Sequence, residues 1–127
     1  MRVVAQSLEE LFSEAIIASM DVMYDVKGVE PKERREYESQ GEDPGELLYD
    51  IVNYALYLFD EGFAISKATV RLRYTTEEKR SAEVTFEGET YDKEKHGFKT
   101  LVKAFTYNDL RICLEGYDRV AEFVLDV

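Results

Sequence analysis

The chain has 127 residues; 45% are hydrophobic, and 27 acidic against 16 basic side chains give a formal net charge of −11 at pH 7. That length suits one domain with a real core, and that charge repels a phosphate backbone, which argues against direct binding of RNA or DNA. No apolar run approaches the ~20 residues of a membrane span, residues 1–12 lack the pattern of a signal peptide, and the lone Cys113 excludes an internal disulfide and suits a reducing, cytoplasmic setting.

Residues 2–6, RVVAQ, read as a short strand or the end of one. Ser7 followed three positions later by Glu10 is a capping box. Leu8, Leu11, Phe12, Ala15, Ile16, Ser19, Met20 and Met23 then recur at helical spacing. This predicts an amphipathic helix ending near residues 24–26. The very polar stretch that follows is too long for an ordinary loop, and an exposed edge strand is expected at residues 33–39, its charges discouraging edge-to-edge pairing. A second helix opens at Asp43, with Pro44 in the first helical position and Glu46 completing a box. Its wide apolar face and Gly62 terminator mark it as the central core helix.

From residue 63 the period drops to two. ATVRLRY and SAEVTFEG are two strands, with TTEEK as the hairpin loop between them. GETYDKEKHG is loop-like, and TLVKAFTY, LRICLE and RVAEFVLD are three further strands joined by short turns. The expected class is α+β: two amphipathic helices packed on a mainly antiparallel sheet, with a strand-rich C-terminal half.

No phosphate-binding loop of the Walker type, dinucleotide fingerprint or GxSxG elbow is present. One His and one Cys are too few for a zinc site built from those ligands. His96 reads as a polar loop residue. Carboxylates remain. Regular alternation in the last strand puts Asp126 with Val124, Glu122 and Val120 on one face, beside the terminal carboxylate of Val127. Two such charges repel by ~3 kcal/mol at ~5 Å and an effective dielectric of ~20. Either the terminus frays into water or a hard cation, Ca²⁺ or Mg²⁺, offsets the repulsion. Lys103 shares a strand face with Leu101, Phe105 and Tyr107, where it either snorkels to the edge or meets an acid.

SLEELFSEAIIASMDVMYDV, PGELLYDIVNYALYLFDEGF, GETYDKEKH, VKAFTYNDLRI and the terminal VLDV run in order from residue 7 to residue 127. In these stretches the chain resembles the archease family, small accessory proteins of the RtcB-type tRNA-splicing RNA ligase. The resemblance implies a single archease-like domain over residues 1–127 that is a protein cofactor and not an enzyme. It implies that Asp126 and Val127 are metal ligands, with calcium the expected divalent ion and magnesium the alternative. It also implicates Lys103 and His96 in promoting ligase guanylylation and multiple turnover. Family sequences start with a further strand carrying a His-Thr-Ala-Asp-Val motif, whose acid is another metal ligand. This chain begins MRVVAQSLEELF, just after where that motif should end, so either the start was assigned too far downstream or the protein lacks that ligand. Asn108 stands where many relatives have histidine. Two other readings compete. One is a chaperone-like modulator of an RNA-modifying enzyme such as a tRNA cytosine methyltransferase, using an apolar surface near Tyr54, Tyr57 and Phe63. The other is a stand-alone metal-dependent hydrolase built on the carboxylates, Lys103 and His96.

Overall fold

The computed structural model describes residues 1–74 and 80–127. The expected hairpin loop TTEEK lies outside the described residues.

Strand β1 (Arg2–Ala5) leads through Gln6 and Ser7 into helix α1 (Leu8–Asp21). The Ser7 hydroxyl accepts the Glu10 N–H at 3.1 Å, as its capping role requires. Glu9 and Glu10 place negative charge on the positive end of the helix dipole. The predicted stripe is the buried face: Leu11, Phe12, Ala15, Ile16 and Met20 are inaccessible to solvent. The helix stops a few residues earlier than expected, because Tyr24 turns inward to serve another element. A short 3₁₀ turn, Val26–Gly28, follows.

The polar stretch is indeed a strand, β2 (Glu33–Gly41), and it lies at a sheet edge. Helix α2 (Pro44–Asp60) is capped by Asp43, whose Oδ1 accepts the Glu46 N–H at 3.0 Å. Glu46 Oε2 closes the box one residue upstream of the usual partner, accepting the Glu42 N–H at 2.7 Å. Strands β3 (Phe63–Tyr74) and β4 (Arg80–Thr90) pair antiparallel, with β2 on the far side of β4. Helices α1 and α2 pack over the inner face of this sheet, α1 mainly on β3, and α2 on β2 and β3. Ala82, Val84 and Phe86 of β4 point into the shared core. Each large apolar side chain buried there contributes roughly 1.5–3 kcal/mol.

A bulge interrupts β3 between Ile65 and Lys67. The Tyr24 hydroxyl accepts the Ile65 N–H at 2.8 Å, filling the gap that the bulge leaves in the ladder. Burial pushes the Tyr24 phenol well above its ordinary pKa. Opposite the bulge the backbones approach so closely that a Cβ on Gly88 would sit 1.8 Å from the Ala64 carbonyl oxygen. Only glycine fits there.

The expected loop GETYDKEKHG contains one helical turn, α3 (Lys93–His96). The remaining strands are β5 (Ala104–Phe105), β6 (Arg111–Glu115), β7 (Asp118–Glu122) and β8 (Leu125–Asp126). They form a second three-stranded sheet, β1-β7-β6, and a two-stranded ladder, β5-β8. Two sequence expectations are corrected here. TLVKAFTY contributes only two strand residues, and RVAEFVLD is two strands, not one. The chain leaves the β1-β7-β6 sheet at Phe123, which is buried against Phe105 with ring centroids 4.8 Å apart. Val120 and Ala121 are both buried, so period-two alternation does not carry through to Asp126. The expected shared face of Val120, Glu122, Val124 and Asp126 does not exist.

Candidate functional site at the carboxyl end

The terminus is pinned, not frayed. Ala104 pairs with Asp126 and Phe105 with Leu125. Beyond the ladder, the Lys103 N–H donates to the Asp126 carbonyl at 2.6 Å, and the Thr106 N–H to the Val124 carbonyl at 3.2 Å. Helix α2 anchors this pair of strands through Asn53. Its Oδ1 accepts the Phe105 N–H at 3.1 Å, and its Nδ2 donates to the Phe105 and Tyr49 carbonyls at 3.4 and 3.0 Å. Phe105 itself is only 1% exposed, and wedges between Phe123 and the exposed Tyr49 ring.

On this anchored base, Asp126 and Val127 are exposed, the latter at 62%. They present two carboxylates on adjacent residues, which are hard oxygen donors suited to Ca²⁺ or Mg²⁺. Among the described residues no group of three His, Cys, Asp or Glu side chains is placed to hold a metal ion. Two carboxylates are fewer than the roughly 6–8 oxygens that calcium takes, so a cation held here would need water or further groups to fill its shell.

Lys103 reaches Asp126 through its main chain. Its side chain is exposed, and no ion pair joins it to Asp126 or Val127 among the described residues. Leu101 and Tyr107 are also exposed, whereas Phe105 is buried. The face shared by these four residues in the sequence reading is broken, because of the four only Phe105 lies in regular strand. Tyr107 stands edge-on to Tyr49, with centroids 5.6 Å apart. The negative charge of Asp43 foremost, then partial burial and Glu46, pushes the Tyr107 phenol upward.

His96 is not an ordinary loop residue: it is 0% exposed. Its Nδ1 accepts the Asp92 N–H at 3.0 Å, so the ring proton sits on Nε2, which donates to Glu89 Oε2 at 3.0 Å. These two contacts fix the orientation of the ring. Glu89 also accepts the Glu30 N–H at 2.8 Å and the Lys95 ammonium at 2.9 Å. These donors, led by the Glu30 amide, hold the Glu89 carboxyl down at about 2. Lys95 bridges on to Glu30 at 3.3 Å. The cluster ties β4, α3 and the segment after α1 together. No hydrogen bond or ion pair links it to Lys103, Asp126 or Val127 among the described residues. Glu89 and Lys95 escaped the sequence reading, although both lie in GETYDKEKH, seven and one residues before the histidine. The histidine on which the hydrolase reading drew is thus buried.

The expected apolar docking surface is also revised. Phe63 is buried beneath the Arg35 guanidinium, 4.6 Å from its ring centroid. Tyr54 stacks on Tyr37 at 3.8 Å and leaves Tyr57, 52% exposed, as the open member of that group.

Comparison with known proteins places these features in a family. The model of the Archease protein family (MTH1598/TM1083) matches residues 1–127. A protein archease from Sulfurisphaera tokodaii is 35% identical over 128 aligned residues, covering 100% of this chain and 90% of the relative. One from Thermococcus gammatolerans is 41% identical over 123, covering 95% and 86%. The solution structure of Methanobacterium thermoautotrophicum protein 1598 superposes with a TM-score of 0.81 at 29% identity, covering 99% of this chain and 89% of that one. The crystal structure of a Thermotoga maritima archease, described as a possible chaperone, gives a TM-score of 0.65 at 24% identity, a likeness of fold.

Proposed function

The chain belongs to the archease family, and from that premise we propose that it is a protein cofactor, not itself an enzyme, that activates an RtcB-type tRNA-splicing RNA ligase through its carboxyl-terminal tip. The observation that carries this reading is the anchoring of the last residues. Chain termini usually fray, yet here β5, Asn53 and the Lys103 amide hold the backbone of Asp126 in place. Ordering two like charges side by side is costly unless something of opposite charge uses them.

In this reading Asp126 and the Val127 carboxylate hold a divalent cation, calcium by the family resemblance. Bound there, the ion supplies positive charge that relieves their repulsion and can be shared with oxygens of the partner. The exposed Lys103 side chain, next to Asp126 in the ladder, is free to contact the ligase or its phosphate-bearing ligand. His96 acts at a distance, holding the GETYDKEKH segment in shape through Glu89. The net charge of −11 favours approach to a basic RNA-processing enzyme. Activation then consists of holding groups in reactive geometry.

The test is ligase guanylylation followed with wild-type chain and with Asp126→Ala. Loss of stimulation with the fold intact is expected, and undiminished stimulation would remove Asp126 from the mechanism. A second reading draws on the exposed Tyr49, Tyr57 and Tyr107 and on the chaperone description attached to the Thermotoga relative. There the chain limits aggregation of an RNA-modifying enzyme such as a tRNA cytosine methyltransferase. That activity survives Asp126→Ala and is lost on removing the tyrosine rings, whereas ligase activation shows the reverse pattern.

A further inference from the structure

Helix α2 carries three tyrosines and no lysine, arginine or histidine over Pro44–Asp60. Away from the core, Tyr49, Tyr57 and Asp60 are exposed, with Glu46, Asp50 and Asn53 half-buried beside them. Side chains three or four apart on a helix are neighbours, so Glu46 stands beside Tyr49 and Asp60 beside Tyr57. Both rings are braced from behind. Tyr49 lies edge-on to Phe105 and Tyr107, with centroids 6.5 and 5.6 Å away. Tyr57 lies 5.7 Å from Tyr54, which stacks on Tyr37. The Tyr37 hydroxyl in turn donates to Asp50 Oδ2 at 2.7 Å, as does the Ser39 hydroxyl at 2.6 Å. The acids stand where they cost the helix stability. Glu46 and Asp50 are like charges one turn apart, and Asp60 adds negative charge to the negative end of the helix dipole.

This face is remote from Met1. Phe123 turns its N–H and C=O to Met1. Val124 and Asp126 turn their carbonyls the other way, to Thr106 and Lys103, and Phe105 turns its own main-chain groups to Asn53. β8 and β5 thus stand between Met1 and α2, and chain entering at Met1 arrives on the far side of β8. Two bases border the face, and each comes with an acid. Arg35 of β2 lies over the Phe63 ring and pairs with Glu33 at 3.5 Å. Lys103 has Asp126 opposite it, joined through the main chain. The border is therefore neutral, and the negative charge of the face itself stands. No ion pair engages Asp50 or Asp60 among the described residues.

We propose that this face of α2 is a docking surface for an arginine-bearing segment of a partner protein. Guanidinium groups lie flat on the Tyr49 and Tyr57 rings, drawn by the ring faces and by Glu46 and Asp60 at their sides. The two rings stand on one ridge of the helix, about 12 Å apart along its axis, so the partner presents two arginines at that separation. Arginine is preferred to lysine because its planar group stacks on a ring and meets a carboxylate with two parallel N–H donors, whereas an ammonium is a hydrated point charge. Rings already held by Tyr54 and Phe105 lose little freedom on binding. The net charge of −11 adds long-range attraction for a basic partner. The proposal rests on the accessory-protein reading for the existence of a partner, and its test uses neither a ligase nor a methyltransferase, so the two can fail separately.

The probe is the fluorescein-labelled peptide Ala-Arg-Ala-Ala-Ala-Arg-Ala-Ala-Ala-Arg-Ala, blocked at both ends. It is titrated into the full chain by fluorescence anisotropy at physiological ionic strength, beside the same peptide with lysine at each arginine position. Saturable binding of the arginine peptide, roughly fivefold or more tighter than of the lysine peptide, is expected. Tyr57→Ser removes one of the two rings and should weaken binding by roughly fivefold or more. Asp60→Lys should weaken it by a similar factor while thermal stability stays equal or rises, since the change favours the helix dipole. No binding, equal affinity for the two peptides, or affinity unchanged by either substitution overturns the proposal. Sedimentation that shows the chain pairing with itself, and coming apart with Tyr57→Ser, also overturns it, because a second copy then occupies the face.

Discussion

Asn53→Ala separates support of the tip from its chemistry. The Asn53 side chain touches neither Asp126 nor Val127, yet its Oδ1 is the partner of the Phe105 N–H. Removing it leaves that buried donor unpaired, at a cost of about 1–3 kcal/mol. Its two outgoing bonds, to the Phe105 and Tyr49 carbonyls, are lost as well, but carbonyls tolerate the loss better. Alanine in mid-helix returns about 0.6 kcal/mol of helix propensity. The net destabilisation is therefore about 0.5–2.5 kcal/mol, read as a lower urea midpoint at constant slope. The β5-β8 ladder, only two residues long, should loosen first. Exchange of the Lys103 and Thr106 amides should accelerate more than that of β4. Calcium affinity and ligase stimulation should both fall although each carboxylate is still present. Asn53→Asp keeps an acceptor for Phe105 and should recover part of the lost stability. If Asn53→Ala leaves both the midpoint and those two amides unchanged, α2 does not anchor the tip and the argument from pinning is wrong.

Tyr24→Phe keeps the ring that stacks on Phe59 at 5.4 Å but orphans the Ile65 N–H at the bulge. It should cost about 1–3 kcal/mol, visible as a fall in melting temperature of roughly 4–11 °C for a domain of this size. Gly88→Ala should be among the most damaging single-methyl changes in the molecule, since the backbone at Ala64 must move aside; expression as soluble folded chain at the wild-type level contradicts the close approach. The Glu89 carboxyl is depressed from 4.5 to about 2, so its contribution is complete above pH 4.5 and is lost as pH falls toward 2. Acid unfolding curves of wild type and Glu89→Gln should converge across that window, and parallel curves would show that the Glu30, Lys95 and His96 contacts do not stabilise the charged form.

Both long helices were legible because their signals are local. Ser7 and Asp43 sit next to the amides they cap, and the apolar stripes need no knowledge of what they face. β2 was legible from charge alone, as an edge strand that avoids other edges. What stayed hidden depends on contacts made across the chain. The break between β7 and β8 follows from Phe123 packing on Phe105, 18 positions away, and the burial of His96 from a strand residue that supplies its acid. The bulge in β3 is completed by a hydroxyl 41 positions upstream. Asp126 and Val127 could be named from the sequence; that their backbone is held required the ladder.

Calorimetric titration of calcium into wild-type chain, Asp126→Asn and a chain lengthened by two glycines after Val127 tests the central claim most directly. The lengthened chain keeps every side chain and moves only the terminal carboxylate. One ion bound per wild-type chain, with affinity reduced at least tenfold in both variants, is the predicted result. Equal uptake by all three, or heats no larger than dilution for the wild type, would contradict the assignment of the carboxyl end as a cation seat.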